Sequence, residues 1–278
     1  MKIFVTGGTG FIGSHFLRQA LAKGHDLVCL RRPGSKTRIP LESEPTWVEG
    51  SLDDNLIEEI KGCDVFLHLA SHSTNVPYDS LENCLYWNLT SSLKLMQMAR
   101  KVGVRKFIVT GTAFEYGNSG ERYDYIPVTA NLEPSMSYPA SKAASAIAFN
   151  QWAIEHKLKL QYLRLFQVFG EGESENRLWP SLKKAAISGE NVDMTKGEQL
   201  RDFIPVEDVA DQLIQALKFN NIELGKPIFK NVGTGKPLSI KDFAELWWKK
   251  WGATGKLNFG SIPYRDNEVM IYVPDLSD

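Results

Sequence analysis

Residues 2–15 read KIFVTGGTGFIGSH, with glycines at 7, 10 and 13. Lys2-Ile3-Phe4-Val5 is a strand-like run, and an amphipathic pattern begins at His15, so the glycines fall in a turn between a strand and a helix. Gly7 allows a tight turn, Gly10 lets the backbone approach a pyrophosphate, and Gly13 lets the helix pack closely on the sheet. The helix N-terminus then offers unpaired N–H groups and a partial positive charge to phosphate. Thr9, Phe11 and Ile12 fill the loop between the glycines. The alternative is a glycine-rich turn that holds nothing.

Outward from this turn, strand-like and helix-like runs alternate: HDLVCLRR, VFLHLAS, KFIVTGT and LKLQYLRLFQVFG read as strands, with helical runs such as SSLKLMQMARKVG between them. That alternation predicts an α/β protein, a Rossmann-type doubly wound parallel sheet. After Gly170 it weakens. A smaller C-terminal substrate-binding part is therefore expected from about 170–199 plus 236–278. Residues 1–169 plus about 200–235 form the dinucleotide-binding domain.

The 278 residues are 43% hydrophobic and 23% charged, ordinary for a globular chain. A net charge of −1 gives no electrostatic case for nucleic acid or an anionic membrane as partner. Cys29, Cys63 and Cys84 form no CxxC pair, so they read as reduced thiols, with no disulfide framework and no metal site. The first strand begins at residue 2, which leaves no room for a signal peptide, and no apolar run is long enough to span a membrane. A cytoplasmic protein is expected.

Strand two ends in LVCLRRPGSK. An NAD site usually places an acid there for the ribose 2′-OH. Arg31 and Arg32, with Lys36 behind them, suit a 2′-phosphate and have no carboxylate competitor in this stretch. NADPH (NADP) is the expected cofactor and NAD the alternative; two solvated surface arginines would look the same.

The stretch SMSYPASKAA sets Tyr138 and Lys142 four residues apart at the start of a helical run, one above the other on one face. With the glycine loop and the strand ending Thr110-Gly111-Thr112, this pattern resembles the extended short-chain dehydrogenase/reductase family, in its nucleotide-sugar epimerase, dehydratase and ketoreductase branch. TGGTGFIGSH, FLHLAS, WNLTSSLKLM, VTGTAFEYG, SYPASKAA, LRLFQVFG and RDFIPVEDVA fall in that family's order along essentially the whole chain. The resemblance implies that Thr112 hydrogen-bonds the sugar oxygen and that Tyr138 exchanges a proton with it. It implies that Lys142 holds the nicotinamide ribose and lowers the tyrosine pKa. Ser51 and Leu52 would contact adenine, although the family usually has an acid where Ser51 stands. Leu69, Ala70 and Ser71 would line the cofactor cleft, with Asn88 bracing the nicotinamide end. On the substrate side the implied residues are Gln167 (where asparagine is more usual), Leu178, Arg201, Arg265 and Glu268. The two arginines would clasp the diphosphate of a nucleotide sugar.

The resembling 4,6-dehydratases need an acid pair directly after the threonine, where this chain has Ala113 and Phe114. Glu115 comes next and would face the other way on a continuing strand. The expectation is therefore an NADPH-dependent 4-ketoreductase of a nucleotide-linked 4-keto-6-deoxyhexose, with Phe114 and Phe166 near the sugar methyl. A nucleotide-sugar 4-epimerase is the alternative. A small-ketone reductase and a non-catalytic dinucleotide sensor rank lower. Two-helix homodimer faces are frequent in the resembling family.

Overall fold

The computed structural model describes residues 1–265 and 268–277. Its first half alternates strand and helix: β1 (Lys2–Thr6), α1 (Phe11–Ala22), β2 (Asp26–Arg31), β3 (Thr46–Glu49), α2 (Ile57–Ile60), β4 (Val65–His68), α3 (Leu81–Leu85), α4 (Ser92–Lys101), β5 (Lys106–Thr112), α5 (Ser137–Glu155) and β6 (Lys159–Leu165). There follow β7 (Gln167–Phe169), α6 (Leu178–Ser188), β8 (Val192–Met194), β9 (Leu200–Pro205), α7 (Val206–Ala216) and β10 (Ile228–Val232). The last elements are β11 (Pro237–Ser239), α8 (Ile240–Lys250), β12 (Leu257–Phe259) and β13 (Ile271–Tyr272).

Seven strands form one parallel sheet in the order β10-β6-β5-β4-β1-β2-β3. The chain winds outward from β1 to β3, then returns to β4 on the other side of β1. The carboxyl ends of β1 and β4 therefore flank the point where the order reverses, the place where such sheets bind ligands. The strands are buried on both faces, which explains their nearly continuous apolar runs. On one face Phe16 and Leu17 of α1 pack with Val209 and Leu213 of α7. On the other, Phe149 and Trp152 of α5 and Leu95 of α4 cover Phe66 and Phe107, and the Trp152 and Phe107 rings meet edge-on at 5.0 Å.

The stretch LKLQYLRLFQVFG, expected as one strand, is two. β6 runs beside β5 and β10 to Leu165; Phe166 then bonds its N–H to the Val232 carbonyl, and β7 leaves to pair with β9. β9 also pairs with β11 and β13 to make a second, four-stranded sheet. An aromatic cluster joins that sheet to α6 and α8: Phe203 stacks on Phe243 at 3.9 Å, and Phe169 meets Trp179 at 6.3 Å. The sequence reading also passed over β3, a four-residue edge strand. Among the described residues no helix is long and apolar enough to cross a membrane.

Candidate active site

A cleft of about 650 Å³ opens at the sheet's reversal point, a volume suited to a cofactor-sized ligand. Thr9, Phe11 and Ile12 form its floor together with Gly7, Gly10 and Gly13. The loop is a cradle that side chains would fill. A Cβ on Gly7 (φ +77°) would stand 2.5 Å from the Ala70 nitrogen, and one on Gly13 would run into the Gly7 carbonyl. Ser14, in the first turn of α1, donates its hydroxyl to the Gly10 carbonyl at 2.7 Å and accepts from the Arg38 N–H at 2.9 Å. Those bonds tie the loop after β2 over the N-terminus of the 12-residue α1. Backbone close approach and helix N-terminus together fit a dinucleotide pyrophosphate.

The adenosine end departs from expectation. β3 pairs with β2 so that Arg31 lies beside Glu49. The Arg31 guanidinium donates to Glu49 Oε1 at 3.0 Å and lies over the Trp47 ring at 5.0 Å. Arg31 therefore has a carboxylate competitor after all, supplied by a strand 15 residues further along the chain. Arg32 lines the cleft and is exposed. Ser51 and Leu52 also line it, with the Ser51 N–H and hydroxyl both held by the Asp54 carboxylate.

Leu69, Ala70 and Ser71, after β4, form the opposite wall. Asn88 sits in a π-helical turn, Tyr86–Ser91, between α3 and α4. Such wide turns concentrate at functional sites. This one drops the Asn88 side chain into a buried junction, where its oxygen accepts from His72 N–H at 2.7 Å and its amide donates to Ser141 Oγ at 2.9 Å. Ser145 donates to the Asn88 carbonyl at 2.9 Å. The brace thus joins the wall after β4 to helix α5.

Helix α5 begins at Ser137 and tolerates Pro139 because its first turn has free N–H positions. Tyr138 and Thr112 line the cleft, while Lys142 lies below it, 1% exposed. Burial is the main influence on both titrating groups. It lowers Lys142 to about 8, with Glu115 opposing. It pushes the Tyr138 phenol well above its ordinary value, reinforced by Glu115 and the neighbouring Tyr78, whose ring lies 5.4 Å away. The phenol therefore moves opposite to the direction expected from Lys142. Physically, the lysine pays the same desolvation cost as the tyrosine, and the anionic Glu115 adds to the rise.

Beneath this site β5 stops at Thr112, and Ala113–Glu115 turn as a 3-10 helix. The turn aims Glu115 into the core. Its carboxylate accepts from Thr112 N–H at 2.9 Å, Tyr162 OH at 2.8 Å and Arg164 Nε at 2.8 Å. Arg164 also donates to Tyr116 OH and the Val128 carbonyl, both at 3.2 Å. His68, nearby under the β1–β4 junction, is lowered to about 3 by burial first and by Lys142 second. Ser92 gives its proton to the Trp87 carbonyl, so it accepts from His68 Nε2, and His68 Nδ1 accepts from Thr6.

The substrate-side residues divide. Gln167 and Arg201 line the cleft. Arg201 donates to the Leu200 and Val269 carbonyls at 2.8 and 2.7 Å and reaches Glu268 at 3.4 Å, so Glu268 faces the arginine. Leu178 packs with the aromatic cluster of α6 and α8, outside the cleft wall. Arg265 is exposed and also outside it. Sequence reading missed Arg38, His72, Glu173, Arg177 and Tyr272, all on the cleft wall. Glu173 and Arg177, four apart in GEGESENRLWP, carried a visible i, i+4 signal. Tyr272 carried none, being an isolated tyrosine near the end of the sequence. It completes an aromatic wall, 6.1 Å from both Phe114 and Phe166.

Comparison with known proteins agrees with this geometry. CDP-abequose synthase from Salmonella muenchen is 26% identical over 272 residues, covering 97% of this chain and 87% of that protein. UDP-glucose 4-epimerase from Corynebacterium glutamicum is 28% identical over 269 residues, covering 88% and 79%. Among solved structures, UDP-glucose 4-epimerase from Stenotrophomonas maltophila with bound NAD and formylated UDP-arabinopyranose superposes with a TM-score of 0.88 at 22% identity, covering 100% of this chain and 90% of that one. A family model matches residues 3–231. The chain belongs to the NAD dependent epimerase/dehydratase family.

Proposed function

We propose that this protein is a nucleotide-sugar 4-epimerase that works with NAD. The observation that carries the reading is the Arg31–Glu49 pair. It occupies the guanidinium that a 2′-phosphate would need, which supports NAD over NADP. The UDP-glucose 4-epimerase relatives support the same reading. When bound, the nicotinamide would supply the acceptor and donor of hydride at C4. Tyr138 takes and returns the proton at the sugar O4, and Thr112 orients that oxygen. Lys142 holds the ribose from below. Arg201 contributes positive charge for the diphosphate.

A second reading, the 4-ketoreductase, is favoured by the wall of Phe114, Phe166 and Tyr272, an apolar surface suited to a sugar methyl. One experiment separates the two. The protein is incubated with NAD and UDP-glucose, CDP-glucose or dTDP-glucose, and separately with NADPH and nucleotide-4-keto-6-deoxyhexoses. Epimerisation yields the C4 epimer with no net change in nicotinamide absorbance. Stoichiometric loss of NADPH absorbance on the keto sugars, without epimerisation of the first set, replaces the first reading by the second. If neither set reacts, both readings fail.

A further inference from the structure

On the substrate side of the cleft, Glu173 and Arg177 follow the turn after β7 and lead into α6. The Arg177 side chain is 34% exposed and lines the cleft, while Glu173 beside it is 5% exposed. Their contact is single and long, Arg177 Nε to Glu173 Oε1 at 3.4 Å. The other carboxylate oxygen, Oε2, is buried with no hydrogen-bond partner among the described residues. A buried carboxyl in that state is costly to ionise, and one guanidinium is what offsets the cost. Burial raises Glu173 to about 7, with Arg177 opposing the rise.

We propose that Arg177 is shared between Glu173 and the diphosphate of the nucleotide sugar, so that substrate binding takes a proton onto Glu173. The proposal rests on the nucleotide-sugar reading above and adds a linkage to it. The phosphates draw on the same guanidinium charge that keeps the carboxylate ionised. Their own negative charge also disfavours a carboxylate anion nearby. Both effects favour the neutral acid in the complex, which then donates or accepts locally without repelling the phosphates.

The surrounding groups are few. From its own segment come Arg177, the Gly170 backbone and Glu171, which is paired with Lys183 at 2.8 Å. The loop after β2 brings Arg38 against Gly172. Helix α1 brings His15, bonded through Nε2 to the Glu171 carbonyl, and α7 brings Glu207, 3.7 Å from the same imidazole. Arg177 in turn acts on Tyr78 and Tyr138. Of these, Arg177 is the side chain bonded to the Glu173 carboxylate.

The test is calorimetric titration of the NAD-loaded protein with UDP-, CDP-, dTDP- and GDP-glucose, whose diphosphate diesters keep their charge from pH 6 to 9. Running each pH in phosphate and in Tris, buffers of different ionisation enthalpy, counts the protons taken up. Wild type is expected to take up between one-half and one proton near pH 7.5–8. Its affinity should be level near pH 6 and fall by up to about tenfold per pH unit above 7, the limit for one linked proton. Glu173→Gln should bind like wild type at pH 6, lose the proton uptake, and bind more tightly than wild type at pH 8. Wild-type binding without proton uptake overturns the proposal and leaves the nucleotide-sugar reading standing. The same pH slope in Glu173→Gln and wild type also overturns it. No binding of any of the four sugars, with NAD still binding, overturns the nucleotide-sugar reading and this proposal together.

Discussion

Two buried glutamates face arginines in this molecule, one beneath Thr112 and one on the wall of the cleft. Glu115 accepts from three donors at 2.8–2.9 Å, and its arginine is bonded in turn to a phenol and a carbonyl. Glu173 has one side-chain hydrogen bond, at 3.4 Å, and an oxygen with no hydrogen-bond partner among the described residues. The first pair connects core elements that are packed side by side: β5, β6 and the turn after Thr112. The second joins two residues of a surface segment beside open space. A saturated buried carboxylate is an anchor, held in one place by its donors. An undersatisfied one can exchange its partner or its proton, and the cleft is where an exchange would be used.

The largest effect that would test this contrast comes from Glu115→Ala. It strands a buried guanidinium, leaves Thr112 N–H without its acceptor, and leaves Tyr162 OH with the Lys142 carbonyl at 3.1 Å. Removing one partner of a buried pair costs about 3–5 kcal/mol, so the denaturant midpoint should fall steeply and soluble yield should drop. Glu115→Leu combined with Arg164→Met should recover much of that loss. A single variant as stable as wild type would show that Glu115 is no anchor.

Tyr138 lies between the two carboxylate systems: Glu115 raises its pKa, and Arg177 lowers it. Tyr138→Phe keeps the ring and removes the hydroxyl, so folding and dinucleotide affinity should survive. Loss of a positioned acid-base group costs about 10²–10⁴ in rate. Turnover within a few-fold of wild type, on whichever sugar reacts, would assign the proton to another group.

The smallest effect concerns stability and pH. A carboxyl raised in the folded state from 4.5 to about 7 contributes stability that is fully present below pH 4.5. That contribution is lost as pH rises through 7. Wild type minus Glu173→Gln should therefore show a Tm difference that turns against wild type between pH 4.5 and 7, on the order of 5 °C. A flat difference for Glu173→Gln would remove the contrast between the two glutamates.

Legibility in the sequence followed sequence distance. The glycine loop and the Tyr138–Lys142 spacing could be read because adjacent residues fix them: a strand, a turn and one helical face. The alternating runs likewise disclosed a parallel sheet. What stayed hidden was set by which strands became neighbours. Glu49 meets Arg31 only because β3 pairs with β2, and a four-residue edge strand has too short a pattern to announce itself. On a continuing strand Glu115 would face the other way from Phe114. The 3-10 turn sent it inward to Arg164, 49 residues later. Arg201 was legible as a motif position, whereas its bonds to the 268–270 segment were not.

The hydroxyl of Tyr272 donates to the Ala113 carbonyl at 2.8 Å, across 159 residues of chain. Val273 and Asp275 extend the same clasp by bonding with Ile126. Translation proceeds at about 5–20 residues per second, so about 10–30 s pass between synthesis of the loop after Thr112 and arrival of its clasp. Strands β1 to β5 and the glycine cradle are already made when that interval begins, and β6 follows within it. The cofactor half of the cleft is thus older than the substrate half in every newly made molecule. The wall against which a sugar would rest is completed later, when residues 272–275 fold back over the loop made long before them.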